Sequence, residues 1–150
     1  MSANTDCTYN HYLGSLDMIS NLKVGDRASL SKAFTEEDVI QFANISTDTN
    51  PIHLDESFAA DTVFGHRIVH GMLIASLFSA LVGVKLPGEG TIYLGQSLSF
   101  KAPVSIGEQV TASVEIVKIR EDKPIVTLRT LCIKSEGQIV IDGEAVVKVT

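Results

Sequence analysis

GMLIASLFSALVGV, residues 71–84, is a run of fourteen residues without a single charge, and its reading decides the fold. A helix needs about 20 apolar residues to cross a bilayer, so this run is too short to span one. A helix that is apolar all round and does not span must be surrounded by protein. The rest of the chain therefore has to supply elements that wrap one central helix.

Downstream, the turn cluster LPGEG closes the run and the pattern changes period. TIYLGQSLSF (91–100), QVTASVEIVKIR (109–120), PIVTLRTLCIK (124–134) and QIVIDGEAVVKV (138–149) are rich in Val, Ile, Thr and Leu. Ala112, Val114 and Ile116 alternate with Thr111, Ser113 and Glu115, as a half-buried strand requires. The connections are too short for parallel crossovers, so the four strands are expected to pair antiparallel. Upstream, VGDRASLSKAF (24–34) reads as a strand with Leu30 toward the core. Thr35 is placed as an N-cap, with Glu36, Glu37 and Asp38 at the positive end of a helix whose stripe is Val39, Phe42 and Ala43. A loop (46–55), a short helix (55–62) and a second loop (63–71) lead to the apolar run. The expected fold class is α+β, an antiparallel sheet wrapped around one long hydrophobic helix.

At 150 residues the chain is read as one domain, residues 21–150, preceded by a loosely ordered extension over 1–20 that has no features of a signal or transit peptide. A net charge of −6 and the absence of Trp argue against a nucleic-acid binder, which needs a basic face. Cys7 and Cys132 form neither a disulfide framework nor a zinc spacing, which suggests a reducing compartment, the cytoplasm by default.

The chemistry is sought in STDTNPIHLD, residues 46–55. Pro51 makes this stretch a poor helix, and Asn-Pro favours a turn that folds Asp48 and His53 toward one point. A carboxylate and an imidazole around one small space can hold and activate a water. Spacing alone also allows a plainer outcome, with Asp48 capping a turn and His53 packing near the surface. Gly71 falls at the first turn of the apolar helix, where unpaired N–H groups and the dipole suit an oxyanion, although Gly is also a tolerated cap. His66 and His70 are four apart, but they precede the helix and lack further ligands, so no metal site is expected and His70 is read as fixing the loop. Ser76 and Ser79 are the polar side chains of the apolar helix, and bonding back to helix carbonyls is their plainer role. No G-x-S-x-G is present, LPGEG lacks a Walker lysine, and Cys132 sits in a strand with no His near it in sequence.

DTNPIH (48–53) followed by IVHGM (68–72) resembles the hydratase motif of the MaoC-like hot-dog family. IASLFSAL (74–81), IYLGQSLSFKAPV (92–104), REDKPI (120–125) and GEAVVKV (143–149) are similar to the short (R)-specific enoyl-CoA hydratases within it. The resemblance runs over residues 22–150. It implies a hot-dog fold, an acyl-CoA thioester substrate and reversible addition of water to a trans-2-enoyl-CoA. By the same resemblance Asp48 and His53 activate the water, Asn50 shapes their loop, and Gly71 donates its N–H to the thioester oxygen. Ser79 is implied near the catalytic carboxylate, and Phe100 in the substrate channel. A homodimer, no metal or redox cofactor, and a place in fatty-acid metabolism or polyhydroxyalkanoate precursor supply are implied too. Two other readings remain at this point, a hot-dog thioesterase and a non-catalytic acyl-CoA-binding module.

Overall fold

Residues 19–150 are described by the computed structural model. Cys7 and all but the last two residues of the expected extension lie outside them. Among the described residues, one strand leads into successive α-helices and then into four further strands: β1 (Arg27–Ala33), α1 (Glu36–Ser46), α2 (Pro51–Leu54), α3 (Glu56–Ala60), α4 (Gly71–Ala80), β2 (Ile92–Phe100), β3 (Gln109–Ile119), β4 (Ile125–Lys134) and β5 (Ile139–Lys148). A π-helical segment, Leu81–Lys85, prolongs α4. Every strand pairing is antiparallel, and the sheet order is β1-β3-β4-β5-β2.

The alternation read in β3 is borne out. Val110, Ala112, Val114 and Ile116 are buried, with half-buried Thr111, Ser113 and Glu115 between them. These side chains and their neighbours on β4 and β5, Val126, Leu128, Ile141 and Val147, form one wall of the core, against which Phe78, Leu81 and Val82 pack. Each buried Val, Leu, Ile or Phe among them stabilises the fold by roughly 1.5–3 kcal/mol relative to exposure. Gly143 of β5 lies so close to β2 that a Cβ there would collide with the Ser97 carbonyl oxygen. Only Gly lets these two strands meet.

The expectation of a helix enclosed on every side needs correction. The sheet covers one side of α4 and buries Ile74, Ala75, Leu77 and Phe78. Met72 is 57% exposed and Val84 77%, with Ser76 and Ser79 exposed between them. Residues 72, 76 and 79 follow the i, i+4, i+7 spacing of a single helical stripe. Charge-free sequence concealed this stripe, because small and weakly polar residues look apolar in a run. β2 is an edge strand with Ile92, Leu94 and Phe100 exposed.

Candidate active site

α1 begins with a capping box, in which Thr35 Oγ1 accepts from the Asp38 N–H and the Asp38 carboxylate accepts from the Thr35 N–H. It ends at Thr47, whose left-handed φ of 64° turns the chain sharply before Asp48. The Ser46 hydroxyl accepts the Asp48 N–H, and Asp48 Oδ1 accepts the Asn50 N–H, each at 3.2 Å. Asn50 Oδ1 in turn accepts the Ile52 N–H at 3.2 Å and caps α2. The stretch after Pro51 is therefore a helical turn rather than the non-helical segment expected. Proline at the first helical position loses no hydrogen bond and has its φ already set.

This turn aims His53 inward, where it is 9% exposed. Its Nδ1 lies 2.8 Å from the carbonyl oxygen of Ile68. A carbonyl only accepts, so Nδ1 carries the proton and Nε2 of the neutral ring is a bare acceptor. Ile68 is itself held by its N–H to Ile52 O (3.3 Å), while Val69 N–H donates to Val104 O (2.8 Å). Arg67 adds ion pairs of 3.0 Å to both Glu36 and Glu56, tying the starts of α1 and α3 to this loop. Burial pushes the His53 proton affinity below the ordinary His range, and the neighbouring His70 adds to this; the Ile68 carbonyl and Asp48 act in the opposite direction.

His70, 1% exposed, stands between the two loops. Its Nε2–H donates to the Asp48 carbonyl oxygen at 3.0 Å. Its ring stacks on His53, with centroids 3.8 Å apart and planes 27° from parallel. A carboxylate oxygen of Asp48 and one ring nitrogen from each His lie within 4.8 Å of one another. Two hydrogen bonds of about 2.8 Å can span this distance through one water. The group is a poor metal cage. Nearly parallel rings send their in-plane lone pairs past one another, not onto one ion at about 2.0–2.1 Å.

Asp48, His70 and Gly71 border a largely apolar cavity of about 480 Å³ whose walls include Phe64, Met72 and Phe100. His53 stands beside this wall, not in it. A Cβ on Gly71 would lie 2.7 Å from Phe100 Cε1, so glycine leaves the helix N-terminus open beside that ring. The structure thus gathers Asp48, Asn50, His53, His70, Gly71 and Phe100 in one region. It leaves His66 apart, hydrogen-bonded to Ser105 Oγ at 2.7 Å. Ser79 sits on the exposed stripe of α4, about 12 Å along the helix from Gly71 at 1.5 Å per residue. Ser76 bonds back to Leu73 O at 2.6 Å, the plainer role considered for it. Phe64 and Met72 were not singled out from sequence, although VFGHRIVHGM places both within a few residues of Gly71.

A family model described as "MaoC like domain" matches residues 22–136. An (R)-specific enoyl-CoA hydratase of Aeromonas caviae is 58% identical over 128 residues, covering 85% of this chain and 96% of that protein. One from Rhodospirillum rubrum is 49% identical over 134 residues, covering 89% and 92%. A solved structure described as an (R)-hydratase from A. caviae involved in PHA biosynthesis matches with a TM-score of 0.85 and 57% identity, over 87% of this chain and 98% of that one. The expected α+β hot-dog fold, an antiparallel five-stranded sheet with a helix packed against it, is thereby established.

Proposed function

The chain belongs to the MaoC-like domain family, and from that premise we infer that it is an (R)-specific enoyl-CoA hydratase. It is a hydro-lyase that reversibly adds water to a trans-2-enoyl-CoA to give the (R)-3-hydroxyacyl-CoA. The observation that carries the site assignment is the approach of an Asp48 carboxylate oxygen and a His53 ring nitrogen to within 4.8 Å of one another, next to the cavity at the start of α4.

The Asp48 carboxylate and the bare His53 Nε2 are both acceptors, so a water between them directs its two hydrogens outward to them. An oxygen lone pair is then left for C3 of the enoyl group. The thioester oxygen lies on the Gly71 N–H at the positive end of α4, which stabilises the enolate charge that develops on attack. One acceptor takes the water's proton and returns it to C2. Asn50 keeps Asp48 and His53 on one turn through its two hydrogen bonds. Ser79 is exposed on α4, with no hydrogen bond to Asp48 among the described residues. No metal or redox cofactor is needed, since the thioester itself delocalises the charge.

Crotonyl-CoA hydration, followed in the presence of a chelator, tests this reading. Loss of enoyl absorbance is expected; release of free CoA in its place would make the protein a thioesterase. Stereochemistry is the finer test. One pair gripping one water delivers oxygen and proton from the same face, so addition in deuterated water should be syn, with R configuration at C3. NMR of the derivatised product reads both centres, and an anti product would separate Asp48 from His53 in the mechanism.

The exposed stripe on α4 and the unpaired edge of β2 support a homodimer, because an apolar sheet edge left open invites pairing. Sedimentation should give twice the chain mass, and an active monomer at low concentration would rule this out. Among the described residues no helix is long and apolar enough to cross a membrane. A cytoplasmic supply of (R)-3-hydroxyacyl-CoA to polyhydroxyalkanoate synthesis, or its turnover in fatty-acid metabolism, is the setting this product fits.

A further inference from the structure

We propose that His70 is a positioning residue for the hydration, one that holds the Asp48 main chain and the His53 ring in a single geometry. The proposal rests on the hydratase reading and deepens it. His70 touches both halves of the water-binding pair at once, through the 3.0 Å hydrogen bond to Asp48 O and the 3.8 Å ring stack on His53. On another side the Phe42 ring meets it edge-on, centroids 4.9 Å apart at 64°. It is also the residue directly before Gly71, at the N-cap of α4. One buried imidazole therefore links the Asp48 main chain, the His53 ring and the residue assigned as oxyanion donor.

A direct catalytic role is excluded by the ring's own atoms. Nε2 is committed to Asp48 O, and Nδ1 is buried from solvent without a hydrogen-bond partner. Neither nitrogen can pass a proton to a substrate. The orphaned Nδ1 also speaks against simple space-filling, since a buried polar atom without a partner is costly and Phe or Leu would avoid it. What an imidazole offers here is a flat face for His53 together with a donor for Asp48.

The stack has an electrostatic consequence. Two rings at 3.8 Å resist both being charged, so His70 disfavours a proton on His53 and keeps its Nε2 free to accept. Among the described residues, Asp48 from the preceding loop is the charged group facing His53, and it pulls the other way; Phe42 from α1 is uncharged. With His70 replaced by an uncharged residue, its repulsion is removed while burial still disfavours the proton, and His53 takes up its proton at a higher pH than in the parent.

Two variants divide the roles: His70→Phe keeps the stacking surface and loses the donor, while His70→Gln keeps a donor and loses the ring. Each is assayed for kcat and KM with crotonyl-CoA, for melting temperature, and for the His53 ring by NMR titration without substrate. Both variants should lower kcat at least tenfold with KM changed less than about threefold, and the His53 titration should move upward in pH. A kcat within twofold of the parent in either folded variant overturns the proposal. So does a lost kcat with the His53 titration unmoved, or failure of both variants to fold, since each makes His70 merely structural. A parent protein that does not hydrate crotonyl-CoA would sink the hydratase reading instead, while the titration would still report whether His70 governs His53.

Discussion

Asp48→Asn and His53→Gln should each lower crotonyl-CoA hydration by about 100-fold or more while leaving the melting transition nearly in place. Asp48 is exposed, and its amide replacement keeps an oxygen for the Asn50 N–H. It loses the charge that draws a hydrogen of the water. His53 requires a considered substitution. The ring is buried, stacked on His70 and bonded to Ile68 O, so alanine would leave a void and an unpaired carbonyl. Glutamine can still donate to Ile68 O, but it offers no nitrogen lone pair to the water. Rates and thermal melts measured side by side separate chemistry from folding. If both folded variants keep near-parental rates, no water is activated between these two side chains.

The other large effect is expected at Gly71. Gly71→Ala sets a methyl carbon 2.7 and 2.9 Å from Phe100 Cε1 and Cδ1, well inside van der Waals contact. Phe100 is 53% exposed and can swing aside, so the fold should survive with little loss of stability. The site should not. The displaced ring is a wall of the cavity, and the new methyl stands beside the N–H assigned to the thioester oxygen. Loss of one such donor costs about 100- to 1,000-fold in kcat, and a misplaced donor should cost at least roughly tenfold. The double variant Gly71→Ala/Phe100→Ala removes the clash. Recovery of KM without recovery of kcat would assign the steric part to Phe100 and the remainder to the helix N-terminus. Parental activity in Gly71→Ala alone would place the oxyanion donor elsewhere.

Much of this molecule could be read before its structure was known, for identifiable reasons. Alternation in 111–116 and the uncharged run at 71–84 are local signals, the first falling inside β3 and the second inside α4 with its π-helical extension. Asp48 and His53 are five residues apart on one turn, so their proximity is also local. Two features were hidden because they depend on distance along the chain or on the third dimension. His70 reaches Asp48 across twenty-two residues, a contact no spacing rule reports. The exposed stripe of α4 depends on how far five strands wrap. The turn at Pro51–Leu54 was misread because proline breaks a helix from within but begins one well. Ser79 was placed near the carboxylate by resemblance alone, and in this chain it faces outward on α4.

The order of strands in the sheet also has a consequence in time. β2 has one hydrogen-bonded neighbour, β5, and it is β2 that brings Phe100 against Gly71. As the polypeptide leaves the ribosome, Asp48, His53 and Gly71 emerge well before the strand that anchors their wall. At ~5–20 residues per second, roughly 2–10 s separate synthesis of Phe100 from that of Lys148. During that interval β2 has no β5 to pair with, and the wall at Phe100 has no anchor. β5 also completes β4, so the same ten residues close the core and the site together. A nascent chain short of β5 thus carries Asp48, His53 and Gly71 without an anchored wall at Phe100.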